Sequence, residues 1–533
     1  MGDILDPDFN EVAFGDDSKH TWHATPVLDP GLSHYHFGPF PEIEAPLLQG
    51  EVQDVHFPNL EERPDLPQEG AGDPMSRRDE RGVQFDMVDS IIRITLYKAL
   101  VPIVQLAFVG RLGVTALAGA SVAMSVANLT GFLTMAGFAG TMERMAIQSF
   151  GHGGGKLVAL GTVAQKTCFL SLLACIPVGF LWLHAERPLS FLVRDPGVAE
   201  GAAVYLKWLV LALVASAGLY PATQYLRIQN VNFPLGMASF LTLLFYVPAN
   251  CVLVHYFDLG LQGAAAALSS ARAAPANVVG VVPRGPPRLA PVLGMTVWNT
   301  VPVGLDWFAH ELLLLLPCAL PDLAHQVAAS AVWFQTVKLC VVLPRILSTS
   351  LTVRLTNELA AQKPGRARLA CNTAVASTFL YGLILLILLL SIHGHWGKLF
   401  IPYQTDGPGH DSDAMGAKSY GSGRGSDAIG RLLDEVAPYA AVLQFFESLQ
   451  IVLQGFLKGT GQELAGRTID LLSKYAAGVP IMLVLTYFGF GLKGIWLGTI
   501  LGQAGQVAFL YFVMLMTDWS YEVEKTAEII QKS

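Results

Sequence analysis

Charge is what this chain has least of. Only 14% of its 533 residues are Asp, Glu, Lys or Arg, against 52% hydrophobic, and the mean hydropathy is +0.45. The apolar residues come in blocks of about 20, long enough to cross a bilayer as helices, and a soluble core would interrupt such runs sooner. The cysteines are also few: Cys168, Cys175, Cys251, Cys318, Cys340 and Cys371 lie in or beside apolar segments without CxxC spacing. That pattern argues against a disulfide framework or a zinc centre and for small buried hydrophobes. No GxxxxGK[ST] sequence occurs, and Gly153-Gly154-Gly155-Lys156 lacks both the spacing and the preceding strand of a phosphate loop. Nucleotide hydrolysis, enzymatic activity, a cofactor, a bound metal and a nucleic-acid partner are therefore not expected. Met1–Asn10 carries three acids and no basic stretch, so no signal peptide is read there and the first spanning helix is expected to direct insertion.

What charge there is sits unevenly. Residues 1–85 hold 18 acids against five bases, with many Pro and His and little apolar period, and are expected to be a disordered acidic cytoplasmic tail. The scattered histidines of that tail, including His34 and His36, are assigned no chemistry. Spanning segments are predicted at 89–110, 115–140, 159–183, 200–222, 233–255 and 261–282, then at 298–320, 325–350, 369–393, 435–457, 468–488 and 491–516. The fold class expected is an all-α polytopic membrane protein of about twelve helices in two pseudo-symmetric six-helix bundles, residues 86–296 and 297–520, followed by a cytoplasmic tail at 521–533. A Gly/Ser/Asp-rich loop at 404–434 interrupts the second bundle. Arg144, Lys156, Arg227, Arg284, Arg288, Arg354, Lys363, Arg366, Arg368, Lys458 and Arg467 then fall on one side with both termini, which the positive-inside rule makes cytoplasmic. A monomer in the plasma or vacuolar membrane is expected.

Two acids break the apolar pattern. Glu311 stands in the run Trp298–Leu320 and Glu447 in the run Val436–Leu457. A carboxylate at such depth costs roughly 2.5–3.5 kcal/mol on insertion scales, so intramembrane acids usually line an ion or substrate path. Trp307 and Phe308, four and three residues before Glu311, share its helix face and are expected to floor a site for an organic cation. Asp306 points elsewhere and is read either as a helix-start residue or as a partner of the site. Gln444, Gln450 and Gln454 lie at i−3, i+3 and i+7 from Glu447 and form a polar stripe expected to face a cleft. Glu143, near its helix end, is expected to be satisfied locally by Arg144 or backbone donors. Glu311 and Glu447 are thus candidates for proton or cation coupling, and the other six for the substrate cleft or its support: Trp307, Phe308, Gln444, Gln450, Gln454 and Asp306.

The halves echo one another. Gln148–Lys156 and Asn357–Arg366 are both polar, basic loops followed by Ala/Leu-rich helices, and Tyr225-Leu226-Arg227 pairs with Phe456-Leu457-Lys458. A duplication of this kind places the substrate site at the repeat interface.

Several of these stretches carry a resemblance. Phe108-Val109-Gly110-Arg111-Leu112-Gly113, Leu117–Ser121 and Asn128–Gly131 resemble the VGHLG, LAGAS and NVTG elements of eukaryotic MATE (multidrug and toxic compound extrusion) transporters. Thr141-Met142-Glu143 with Gln148–Gly151 is similar to the family's ALDTLCGQAYG, Arg354–Leu359 to RVSNELG, and Thr517-Asp518-Trp519 to TDW. Asp306–Glu311 resembles EYWSFE and Phe446–Gln450 resembles LDSIQ, over a total span of roughly residues 90–520. The resemblance implies that Glu311 and Glu447 are the coupling acids of the C-terminal bundle, that H⁺ or Na⁺ is exchanged for small organic solutes, and that two bundles form an alternating-access cleft.

The chain departs from that family in four places. Arg93 and Lys98 stand in the first helix, Ala271–Pro291 is rich in Arg and Pro, Ile147 replaces a glycine, and residues 404–434 lengthen a loop. Among rivals, a major-facilitator carrier would carry a GxxxDRxGRR loop, which is absent. A lipid or lipid-linked sugar flippase should collect Arg and Lys inside its bundles, where this sequence draws attention to acids. A non-transporting membrane protein would follow if the sixth helix were broken.

Overall fold

The computed structural model describes residues 77–151, 156–229, 233–276, 290–400 and 424–532, which hold helices and no strand. The helices of the first half are α1 (Arg77–Gly110), α2 (Val114–Ala127), α3 (Leu133–Gly151), α4 (Lys156–Leu183), α5 (Glu186–Leu192), α6 (Pro196–Ile228), α7 (Phe233–Asn250) and α8 (Gly260–Ala276). Those of the second are α9 (Ala290–Leu315), α10 (Leu323–Cys340), α11 (Val342–Ala360), α12 (Pro364–Phe400), α13 (Arg424–Gly459), α14 (Glu463–Leu472), α15 (Val479–Leu485), α16 (Gly491–Met516) and α17 (Trp519–Lys532). Wider π-type turns at Asn128–Phe132 and Ser473–Gly478 carry α2 into α3 and α14 into α15 without a break in the rod.

Nine segments of the described residues are long and apolar enough to cross a membrane. The last of them, Glu463–Met516, turns back on itself at Gly489 and Gly491, whose φ values of 92° and 54° suit glycine and few other residues. The described helices α8 and α9 are not among the nine. The Arg93 and Lys98 charges do not prevent the first span, which runs Ile92–Gly110.

In the first half α6 packs against α2, α4 and α8, and in the second α13 packs against α10, α11, α12 and α16. Small and hydroxylated residues set these approaches, as expected where lipid supplies no hydrophobic drive between helices. Ser348, Thr352 and Thr356, one turn apart on α11, donate to the carbonyls of Ile451, Gly455 and Gly459 on α13 at 2.8, 3.0 and 3.3 Å. The outward surface is apolar: Ile176, Phe180, Leu211, Phe245, Ile384 and Ile387 are all exposed, a surface suited to acyl chains. All six cysteines are free, four of them buried, Cys340 half-buried and Cys251 exposed.

Three boundaries differ from expectation. Helix α1 begins at Arg77, inside the region read as tail, whose residues 1–76 lie outside the described ones. Helix α13 begins at Arg424, so only part of the predicted 404–434 loop remains, and residues 401–423 lie outside the described ones. Ile429, Leu433 and Val436 recur at helical spacing and bury one face, and Leu433 packs on Gly397 of α12, a pattern the Gly/Ser composition upstream had obscured. The last thirteen residues, read as a tail, belong largely to α17, which docks through Trp519 on the Phe456 ring and through Gln462, whose amide donates to Glu522 at 2.7 Å.

Helix α16 comes closest to its neighbour at Gly498, where an added Cβ would stand 2.4 Å from the Met482 Cα. Gly498→Val should therefore force α15 and α16 apart, costing about 1–3 kcal/mol as overpacking does. A thermal-shift scan of the detergent-solubilised protein should show a lowered midpoint, and an unchanged one would contradict the close packing.

Candidate functional site

Helix α9 presents two faces, and each carries one half of the site. Trp307 and Glu311 share the first by their i, i+4 spacing, and Asp306, His310 and Leu313 share the second. Glu311 is 3% exposed; its Oε1 accepts a hydrogen bond of 2.9 Å from Asn128 Nδ2 and lies 3.8 Å from Lys338 Nζ. Asn128 stands in the π turn between α2 and α3, a widening that recurs at functional sites. Lys338 is in the last turn of α10, its Nζ also 3.9 Å from the Phe334 ring centroid. One carboxylate thus joins the two halves of the molecule. Its Oε2 is buried and has no hydrogen-bond partner among the described residues.

The second face leads to Glu447. His310 Nε2 lies 3.9 Å from Glu447 Oε1, and His310 Nδ1 lies 2.9 Å from the Asp306 carbonyl oxygen and 3.6 Å from Asp306 Oδ1. Asp306 Oδ1 pairs with Lys474 Nζ, which also donates to Asp470 Oδ2 at 2.9 Å. Asp470 Oδ1 accepts from Gln450 Nε2 at 2.9 Å and from Gln506 Nε2 at 2.8 Å, and Gln503 Nε2 donates to Gln450 Oε1 at 3.3 Å. Lys474 lies in the π turn Ser473–Gly478, and the Tyr475 hydroxyl beside it donates to the Leu305 carbonyl at 2.7 Å, tying that turn to α9.

His310, Phe334, Lys338, Glu447, Lys474 and Gln503 line one cavity inside the second half. Around it stand four carboxyl groups, Asp306, Glu311, Glu447 and Asp470, and two ammonium groups, Lys338 and Lys474. With every acid ionised the site has more negative than positive charge, and it can take up a cation or protons without gathering net positive charge. Among the described residues no group of three or more His, Cys, Asp or Glu is placed to hold a metal ion.

The comparison that decides the family is the match of the MatE family model to residues 93–252 and 323–484, more than half of the chain. The chain belongs to the MatE family. Among its relatives, Protein DETOXIFICATION 49 of Arabidopsis thaliana is 28% identical over 447 residues, 81% of this chain and 84% of the relative. Protein DETOXIFICATION 16 of Arabidopsis thaliana is 28% identical over 480 residues, 87% and 93%. In fold, the chain is similar to the crystal structure of the eukaryotic MATE transporter AtDTX14, with a TM-score of 0.64 at 22% identity over 85% of this chain and 99% of the other. It is similar also to an inward-facing multidrug resistance MATE family transporter of the MOP superfamily, with a TM-score of 0.65 at 13% identity over 82% and 99%. The protein is therefore a MATE-type membrane transporter, as the motifs had implied.

Within this MATE chain the residues named from sequence fall unevenly. Glu311 and Glu447 are both buried and both reach charged or imidazole partners. Asp306 is in the network through His310 and Lys474. Trp307 is half-buried in the main core and Phe308 is 41% exposed, and neither lines the cavity, so the aromatic surface there is Phe334 of α10 instead. The reason is the helical turn: the cavity meets the face of α9 that bears Ala309, His310 and Leu313. Gln450 joins the Asp470 cluster, whereas Gln444 bonds Ser448 on its own helix at 3.0 Å and Gln454 has its Nε2 buried without a partner among the described residues. Of that stripe only Glu447 lines the cavity. Glu143 and Arg144 lie on α3 with side chains outside the described ones.

Asn128, His310, Lys338, Asp470, Lys474 and Gln506 were not singled out from sequence. Lys338 lies in the predicted span 325–350, and Asp470 with Lys474 in 468–488, so the rule that picked out the two glutamates applied to them as well. Asp470 and Lys474 are moreover an i, i+4 pair of opposite sign. The contrast drawn with a flippase on the sign of buried charge also changes, since Lys338, Lys474 and, in the first half, Arg272 stand inside the bundles.

Proposed function

We propose that this transporter is a secondary antiporter, exporting organic solutes in exchange for protons or sodium ions by alternating access. The observation that carries the reading is Glu311: a buried carboxylate shared by Asn128 of the first half and Lys338 of the second, with one oxygen that has no hydrogen-bond partner among the described residues. A group that bridges two bundles changes its surroundings whenever they rock against each other. Neutralising it by a proton, or by a cation at Oε2, loosens its hold on Lys338 and so couples occupancy to the bundle interface. The same excess of carboxylates attracts a cationic or polar organic solute, which would compete with the Lys338 ammonium for the Phe334 ring. Proton and solute then compete for one cluster, and His310, with a nitrogen toward each of Asp306 and Glu447, is placed to pass a proton between them. The names and titles of relatives that speak of detoxification and multidrug resistance support an efflux role, and family membership does not favour the flippase reading.

Competition has a direct signature. Adding tetraphenylphosphonium to the purified protein in weakly buffered detergent should release protons, and Glu311→Gln should lower the yield. Binding without proton release, in the presence and absence of sodium, would overturn proton exchange at this site.

The proposed topology puts both termini in the cytoplasm of a cell whose plasma or vacuolar membrane holds the protein. Tags at Gly155 and Ser533 should be reached from the cytoplasm, and a tag at Gly416 should not. Labelling Gly155 and Gly416 from the same side would contradict the twelve-helix arrangement.

A further inference from the structure

The first half has a charged cluster of its own, and its sign is opposite. Arg272, on α8, is half-buried inside the bundle with its guanidinium 4.0 Å from the ring centroid of Phe132. Phe132 is buried and packs edge-on against Trp182, so this aromatic surface is fixed. The phenols of Tyr205 and Tyr220 on α6 and of Tyr246 on α7 lie within electrostatic reach of the guanidinium. No carboxylate among the described residues pairs with Arg272, and residues 277–289, which follow its helix, contain no Asp or Glu. Two further observations concern the phenols. Tyr246 is fully buried and its hydroxyl makes no hydrogen bond of ordinary geometry among the described residues, with the Asn250 side chain, one turn along α7, as the polar group beside it. Tyr205, also fully buried, has its hydroxyl oxygen occupied by Gln105 Nε2 at 2.7 Å, which leaves its proton to give.

A guanidinium and two phenolic O–H groups on three helices, beside an aromatic ring and without an anion among the described residues, is the complement of a carboxylate. An unpaired cation inside a bundle is costly to the extent that it is desolvated, and the cost falls when an anion arrives with charge-assisted hydrogen bonds. We propose that this cluster is a carboxylate subsite in the N-terminal bundle, taking the carboxylate of an aromatic organic acid or of a zwitterionic solute through Arg272, Tyr246 and Tyr205, with Phe132 holding the guanidinium in place. The acidic cluster of the other bundle takes a positive charge, so a solute bearing both groups meets a complementary charge in each half. The inference goes beyond ion exchange at Glu311 and does not require it.

Isothermal titration of the purified full-length protein in detergent tests it with benzoate and its neutral isostere benzamide. Benzoate should bind at least about tenfold more tightly than benzamide, as expected where a charged hydrogen-bonded contact is gained. Arg272→Gln, which removes a buried charge and so should fold, is expected to erase that preference. Arg272→Lys should keep part of it, and Tyr246→Phe should weaken benzoate binding several-fold while leaving benzamide unchanged. Equal affinity of the two ligands for the unaltered protein would overturn the proposal, as would a preference that survives in Arg272→Gln. Displacement of benzoate by phosphatidylglycerol in mixed micelles would assign the cluster to a lipid headgroup and overturn a solute site. Because the titration needs no gradient, benzoate selectivity without tetraphenylphosphonium-driven proton release would remove the proton-exchange reading and leave this one standing.

Discussion

Replacing Glu311 by glutamine should abolish pH-gradient-driven transport while the protein still inserts and folds. Glutamine keeps the size of the side chain and can still accept the hydrogen bond from Asn128, so the packing that buries the residue to 3% exposure is retained. What it loses is the charge that faces Lys338 at 3.8 Å and the capacity to take up a proton or a cation at Oε2. Removing a charge that changes between two states removes the coupling between them, since a ligand shifts an equilibrium only by its differential affinity for the two states. Glu447→Gln should impair transport less completely, because His310 and the Asp306–Lys474 pair remain beside it. Initial rates in proteoliposomes at matched protein density would check both. Rates equal to the unaltered protein's in Glu311→Gln would show that the coupling group lies elsewhere.

Lys474→Met is expected to have the larger effect on stability. Lys474 is 12% exposed and holds Asp306 on α9 and Asp470 on α14 together, and Asp470 in turn collects Gln450 and Gln506. Removing one partner of a buried ion pair costs about 3–5 kcal/mol, because the charges left behind are neither solvated nor paired. Here two carboxylates are left, and Asp306, 38% exposed, can be partly solvated while Asp470, 9% exposed, cannot. Asp470→Asn in the Lys474→Met background should therefore recover much of the loss, and Asp306→Asn less. Denaturation in detergent of these three variants and of the single Asp470→Asn and Asp306→Asn variants would give the coupling energies. A Lys474→Met protein as stable as the unaltered one would show that the network carries no load.

The outline of the molecule was legible because lipid imposes a strong pattern: runs of about 20 apolar residues, basic loops between them, and short motifs in family order. The two glutamates were legible for the same reason, each being an acid where acids are expensive. The rest of the site was hidden by three effects. Which face of α9 meets the cavity depends on the packing of α3, α10 and the Ser473–Gly478 turn against it, and no helical spacing within α9 states that; hence Trp307 and Phe308 were expected where His310 stands. Lys338 and Lys474 are bases whose long stems can carry a charge out of an apolar run, and Asp470 stands two residues inside the predicted span 468–488, where a carboxylate reads as an end residue. Asn128 became part of the site through a π turn, a local widening that leaves no mark in composition. Boundaries failed where composition and period disagree, as at Arg424–Asp434, where Gly and Ser conceal a buried stripe through Ile429 and Leu433.

The central claim is exchange through the acidic cluster of the second bundle. It is tested most directly in proteoliposomes holding the purified protein with an acidic lumen and an alkaline exterior, in sodium-free buffer, with uptake of radiolabelled tetraethylammonium measured from outside. The account predicts accumulation that is driven either by the pH difference, collapsing when a protonophore or ammonium dissipates it, or, in a parallel experiment without a pH difference, by an outward sodium gradient, and that is absent with Glu311→Gln in both. Uptake that ignores both gradients, or that persists unchanged in Glu311→Gln, would contradict it.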